Sequence, residues 1–171
     1  MISGEKIVLK GLTKESAALI YTWVNKEELR DFTGTQYPVS EYEHEEWIKK
    51  MATATDKKLF LICDKTSGTP IGTIGLKNFN HTIRKAELFI SIGDSNFLSG
   101  GYGTDAVKTL VDFCFRSLNL HKISVRVFES NARAIKCYEK AGFVKEGLLA
   151  DEHFSKGRYE GVVVMGAISA Y

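Results

Sequence analysis

Glu87-Leu88-Phe89-Ile90-Ser91-Ile92 is a short apolar run of strand-forming residues, and the stretch Asn96 to Asp105 that follows carries glycine at three of the four positions 100–103, as Gly100, Gly101 and Gly103. Beyond it, Ala106, Leu110, Phe113, Cys114 and Leu118 recur at helical spacing, with Lys108, Asp112 and Arg116 between them. Strand, glycine loop and amphipathic helix in that order restrict the fold more than any other stretch. Glycines let a backbone take positive φ and approach a ligand closely, and a helix opening just after them presents unpaired N–H groups and its positive dipole end to an anion. The plainer alternative is a strand-to-helix turn with glycines for geometry alone. No G-K-[S/T] follows, which excludes a P-loop. The loop is also not near the first strand of a repeating βαβ unit, which excludes a Rossmann fingerprint.

With 171 residues, 44% of them hydrophobic and 26% charged, residues 1–171 read as one globular domain. A net charge of +2 and the lack of a long Lys/Arg block argue against a nucleic-acid-binding face. No basic-then-apolar N-terminal segment is seen, and no apolar run approaches the roughly 20 residues of a membrane span. A soluble, cytoplasmic protein is the expectation. Cys63, Cys114 and Cys137 lack C-x-x-C spacing and read as reduced, buried thiols, while the four histidines are scattered, so no metal is expected.

Ile7 to Leu9 read as a first strand, and Thr13 as the cap of a helix reaching Val24. Asn25 to Val39, with Gly34, Pro38, Phe32 and Tyr37, reads as an irregular loop of the kind that contacts substrates. Ser40 and Glu43 form a capping box opening a second helix with Glu41, Glu43, Glu45 and Glu46 in its first two turns. Those carboxylates either complement the helix dipole or face a cationic substrate. Leu59–Cys63 and Ile71–Leu76 form a hairpin, and Ile123–Val127 is a strand. Asn131 then opens a short helix that Gly142 ends, and Phe143–Gly147 and Tyr159–Ile168 supply the last strands. Strands and helices intermix, so the class is α/β or α+β with a mixed sheet.

The run Asn131-Ala132-Arg133-Ala134-Ile135-Lys136-Cys137-Tyr138-Glu139-Lys140-Ala141-Gly142-Phe143 resembles the N-x-x-A-I-x-x-Y-x-x-x-G-F run of the GCN5-related N-acetyltransferases. Leu98-Ser99-Gly100-Gly101-Tyr102-Gly103 is similar to that family's Q/R-x-x-G-x-G/A pyrophosphate loop. Ile7-Val8-Leu9-Lys10, Trp23, Asn25, Glu146-Gly147 and Gly157-Arg158-Tyr159 look like its RimJ/RimL and spermidine acetyltransferase branch. The resemblance implies the GNAT fold: a mostly antiparallel mixed sheet of about six to seven strands, splayed at the acetyl-CoA site and flanked by about four helices.

It further implies acetyl-CoA-dependent transfer to a primary amine, on a protein N-terminus, a polyamine or another small amine, by direct attack in a ternary complex. A non-catalytic acyl-CoA-binding or partner-binding module on the same fold is the alternative. Ser99, Gly100, Gly101, Tyr102, Gly103 and Thr104 would hold the pyrophosphate, and the strand around Phe89, Ile90 and Ile92 the pantetheine arm. Asn131, Arg133 and Lys136 would also contact the cofactor, Asn131 being equally suited to cap its helix. Tyr138 matches the proton donor to the departing thiolate, a core tyrosine being the alternative. Arg126 stands where related N-terminal acetyltransferases carry a Glu, which leaves Glu87 as candidate base or water-positioner, or as half of a strand-end ion pair. Asp31, Phe32, Tyr37 and Glu41 are the candidate acceptor-binding residues. Exposed edge strands near the C-terminus suit a homodimer.

Overall fold

Three helices start where the sequence places an oxygen-bearing cap. Thr13 caps α1 (Lys14–Val24), Ser40 and Glu43 close the capping box of α3 (Glu41–Thr53), and Asn131 caps α5 (Ala132–Lys140). The computed structural model describes residues 1–33 and 35–171; Gly34, counted above in the irregular loop, lies outside the described residues. The loop expected over Asn25–Val39 contains a helix, α2 (Glu27–Thr33), in which no residue is fully buried and Leu29 packs partly buried against the Ile20–Trp23 cluster, too little to leave an apolar stripe to read. The fourth in order after these, α4 (Tyr102–Arg116), follows the glycine loop and a 3-10 turn at Ser95–Phe97.

The strands are β1 (Ile2–Ser3), β2 (Ile7–Lys10), β3 (Lys58–Asp64), β4 (Pro70–Asn80), β5 (Lys85–Ile92), β6 (Lys122–Phe128), β7 (Val144–Ser155) and β8 (Arg158–Ile168). All eight described strands join one sheet in the order β1-β2-β3-β4-β5-β6-β8-β7. That is one strand more than expected, because β1 is two residues long and too short to show a period. Likewise, the described residues form five α-helices rather than about four, α2 being the addition. Only the β5–β6 pair is parallel among the described strands.

Alternation along each strand sorts side chains onto two faces. Ile62, Ile74, Leu88, Ile123 and Met165 point to one face and pack with Leu110 and Cys114 of α4 in the main core. On the other face of β3, Leu61 and Cys63 meet Ile20 and Trp23 of α1. The apolar run in β8 is buried at Val162, Val163 and Met165, so both of its faces are covered there. Cys63 and Cys114 are buried free thiols, and burial pushes Cys114 up to about 12. Cys137, expected to be buried, is only partly buried on α5. Among the described residues, no helix is long and apolar enough to cross a membrane.

One break in the sheet positions everything that follows. The β5–β6 ladder contains only Lys85↔Lys122, Ala86↔Ile123 and Glu87↔Ser124. Beyond it β5 stays with β4 as far as Ile92, while β6 stays with β8 as far as Phe128. Each strand follows its own antiparallel partner, so β5 and β6 diverge and the facing edges are left without a ladder. Phe89, Ile90 and Ile92 lie on that unpaired length.

Candidate active site

Among the helices with a described cap, α4 begins differently. Its N-cap is Gly101, at φ 83°, and no side chain caps it, whereas α1, α3 and α5 each have a side-chain cap. The first intrahelical bond runs from Asp105 N–H to Gly101 O. The amides of Tyr102, Gly103 and Thr104 therefore point outward from the helix start, as the first-turn amides of any α-helix must. Ser99 also holds positive φ, at 61°, so the chain turns twice through the left-handed region around exposed Gly100. Such a nest of backbone donors at a positive helix end suits a pyrophosphate. Beside it, a cavity of about 690 Å³ lies between the N-terminal turn and the outer face of α4, sharing Gly101 and Thr104 with the loop.

The helix that follows β6 is fastened to this loop. Thr104 Oγ1 donates to Cys137 Sγ at 3.6 Å, which sets the residue before Tyr138 against the first turn of α4. At its other end, α5 closes in a Schellman motif: Phe143 N–H donates to Tyr138 O and Gly142 N–H to Glu139 O, with Gly142 at φ 94°. The Phe143 and Tyr138 rings meet with centroids 5.5 Å apart, the hydrophobic contact that accompanies the motif. The spacing Y-x-x-x-G-F is thus a helix terminator that fixes Tyr138 in place. Tyr138 is 5% exposed, and burial first, then the neighbouring Cys137, pushes its phenol well above the usual range. Asn131 Oδ1 accepts from Ala134 N–H at 3.2 Å, so the capping role is present. Arg133 and Lys136 are exposed on the outer side of α5.

Glu87 stands at the last rung before β5 and β6 part. One carboxylate oxygen is 3.5 Å from Lys77 Nζ, and the other accepts from Asn78 Nδ2 at 2.9 Å. A carboxylate offers about four acceptor positions, so this leaves capacity for a further donor. By strand alternation Glu87, Phe89 and Ser91 share the face that Ser124, Arg126 and Phe128 present on β6. His153 of β7 joins them there, its ring stacked on Phe128 at 3.9 Å. This face lies opposite the main core.

Two contacts carry α2 across the open end of the splay. Lys26 Nζ donates to Gly93 O at 2.7 Å, just past β5, and Asp31 pairs at 2.6 Å with Lys156 in the β7–β8 turn. Asn25 also clamps Val39 through both its amide atoms, holding the chain between α2 and α3. Asp31 is thus at the mouth, and hydrogen bonding to it raises the pKa of Lys156. Phe32 is half-exposed on the same helix, and Tyr37 is 79% exposed in the loop beyond. Glu41 is exposed on α3, and among the described residues neither it nor Tyr37 makes a side-chain hydrogen bond or ion pair. The acidic start of α3 is partly structural. Glu43 completes the capping box, which lowers its pKa, and Glu46 pairs with Lys49. Sequence reasoning passed over Lys26, His153 and Lys156, whose roles depend on partners far along the chain and leave no local signal.

The sequence model of the acetyltransferase (GNAT) domain family matches residues 6–144. Spermidine N(1)-acetyltransferase of Vibrio cholerae serotype O1 is 29% identical over 157 residues, spanning 92% of this chain and 90% of that protein. The crystal structure of spermidine N-acetyltransferase from Vibrio cholerae in complex with CoA and spermine superposes with a TM-score of 0.86 at 29% identity, covering 95% of both chains. A dodecameric structure of the Vibrio cholerae enzyme superposes at 0.79 with 27% identity, over 95% of this chain and 94% of that one. With the family's sequence pattern matched from β2 into β7 and its fold matched almost end to end, this chain belongs to the GNAT acetyltransferases and transfers an acetyl group from acetyl-CoA to an amine.

Proposed function

We propose that the acceptor is a polyamine, entering across the face that carries Glu87 and past Asp31 at the mouth. The observation that carries this is the Asp31–Lys156 pair. A carboxylate at the mouth already holds an alkylammonium at 2.6 Å, the same head group that a polyamine presents. Both side chains are partly solvated, and such pairs are worth about 0–1 kcal/mol, so an incoming ammonium can compete for Asp31. The likeness to spermidine acetyltransferases over nearly the whole chain supports the same choice. Phe32, Tyr37 and Glu41 line the approach in this proposal, Glu41 adding a second carboxylate for a second ammonium.

At the donor end, the amides of Gly101, Tyr102, Gly103 and Thr104, with Ser99 and Gly100, hold the pyrophosphate, and the outer edge of β5 at Phe89, Ile90 and Ile92 holds the pantetheine arm. Asn131 contacts the same arm with the amide nitrogen that its cap leaves free, while Arg133 and Lys136 approach the phosphates. The thioester then sits in the splay. The neutral amine attacks its carbonyl carbon, a backbone N–H at the unpaired edge of β5 steadies the oxyanion, and Tyr138 donates a proton to the departing thiolate. Glu87 accepts the amine's proton, directly or through a water. Residues 1–171 act as one domain, in keeping with a sheet whose strands run from Ile2 to Ile168. Exposed Val144, Leu148 and Phe154 on the edge strand β7 favour self-association, with a homodimer as its simplest unit.

Thiol release from acetyl-CoA, followed with spermidine, spermine, an aminoglycoside and N-terminal peptides, tests the acceptor. Spermidine or spermine is expected to give the highest kcat/KM; a peptide or aminoglycoside doing better would overturn the polyamine assignment. For Glu87→Gln, kcat/KM for the amine is expected to fall about 100-fold, the usual scale for a lost general base. Unaltered kcat/KM would reduce Glu87 to the ion-pair partner of Lys77.

A further inference from the structure

The glycine loop is held from behind by a turn almost a hundred residues away in sequence. Asp105, in the first turns of α4, accepts the backbone N–H groups of Glu5 at 3.2 Å, Lys6 at 2.7 Å and Ile7 at 3.0 Å. Gly4 lies so close to the helix that a Cβ there would collide with Thr109 and Asp105. The backbone of Lys6 is therefore fixed relative to α4. Its side chain then reaches back, and Nζ donates to Gly100 O at 2.8 Å while lying 5.6 Å from the centroid of the Tyr102 ring. A closed circuit results: from α4 through Asp105 to the Lys6 backbone, along the Lys6 side chain to the Gly100 carbonyl, and through Gly101 into α4 again.

A trans peptide is planar, so the carbonyl of Gly100 and the N–H of Gly101 point in opposite directions. We propose that Lys6 is a positioning residue for the acetyl-CoA cradle: by holding the Gly100 carbonyl outward, it aims the Gly101 N–H at the pyrophosphate. This rests on the cradle assigned above to the start of α4. The Gly100–Gly101 peptide needs such a hold, because Ser99 and Gly101 both sit at positive φ and neither glycine has a Cβ to resist rotation. Flipped, that peptide would turn a carbonyl oxygen toward an anion. The ammonium does more than orient the group, since a carbonyl polarised by a cation leaves its own N–H a stronger donor.

Calorimetric titration of CoA into the wild type, Lys6→Met and Lys6→Arg, at two salt concentrations, tests this, together with turnover using S-acetylpantetheine, a donor without the pyrophosphate. Lys6→Met is expected to raise the CoA Kd about tenfold, the scale of one charge-assisted hydrogen bond, and to leave kcat/KM with S-acetylpantetheine unchanged. Lys6→Arg, which can still donate to Gly100 O, should bind CoA within about twofold of wild type, and the salt dependence should match across all three proteins. An unchanged CoA Kd in Lys6→Met would overturn the proposal. Equal losses with both donors would overturn it as well, by revealing a general distortion, and a weakened salt dependence would replace it with direct charge contact to phosphate. Should the wild type use both donors equally well, the cradle itself is misassigned and the role of Lys6 falls with it.

Discussion

In the Tyr138→Phe variant, kcat is expected to fall tenfold or more while the affinity for CoA stays close to that of the wild type. The ring is 5% exposed and packed on Phe143, and phenylalanine fills the same space, so the fold and the Schellman motif remain. Removing the hydroxyl takes away one group only. Burial and the neighbouring Cys137 push that hydroxyl well above its ordinary pKa near 10, and among the described residues no hydrogen bond to an acceptor draws on it. A raised value keeps the neutral, protonated form present to higher pH, so the proton is in place throughout any usable assay range. It also makes full transfer to a thiolate of ordinary basicity uphill. In the proposed mechanism the hydroxyl therefore acts first as a donor to the departing sulfur, completing the transfer as charge builds there. An alkaline limb of kcat below about pH 10 must then belong to another group and persist in Tyr138→Phe. Rate profiles of the two proteins check both points: equal kcat would remove Tyr138 from the reaction, and loss of such a limb in the variant would show that the phenol titrates in that range.

Gly101→Val is expected to raise the CoA Kd tenfold or more, with kcat at saturating acetyl-CoA near the wild-type value. Gly101 caps α4 at φ 83°, where an L-residue costs about 1–2 kcal/mol and a β-branched one is a genuine outlier. Space is not the obstacle, since among the described residues a Cβ there meets only Lys6 Nζ, at 3.5 Å. The strain is relieved by rotating the peptides on either side, and those peptides carry the N–H groups of the proposed cradle. Tyr138 and the splay belong to other elements, which is why turnover at saturation should survive. Titration of CoA, paired with kcat at high acetyl-CoA, separates the two effects. Full affinity in Gly101→Val would show that the left-handed cap is dispensable for holding the donor.

These two residues were legible from sequence for the same reason. Gly101 lies in a glycine run between an apolar strand and an amphipathic helix, and Tyr138 lies four residues before a Gly-Phe terminator. Each pattern is set by bonds between residues a few positions apart. The caps at Thr13, Ser40 and Asn131 were readable in the same way. By contrast, α2 escaped, since none of its seven residues is fully buried and it takes its place from Leu29 packed against the Ile20–Trp23 cluster, Lys26 on Gly93 and Asp31 on Lys156. The acidic start of α3 offered two readings, and the capping bond of Glu43 and the Glu46–Lys49 pair account for part of it as structure.

Sequence alone thus determined every described strand but the two-residue β1, most of the helices, the uncapped glycine entry to α4 and the terminator that seats Tyr138. Caps, turns and apolar periods act over one or two turns of chain, within reach of a local pattern. Tertiary structure alone decided where β5 leaves β6, which places Glu87 at the last shared rung, and that Lys156 meets Asp31 across 125 positions and Lys6 meets Gly100 across 94. Such contacts depend on which strands choose each other as partners. That choice is made by burying whole faces of the sheet, and no short stretch of residues encodes it.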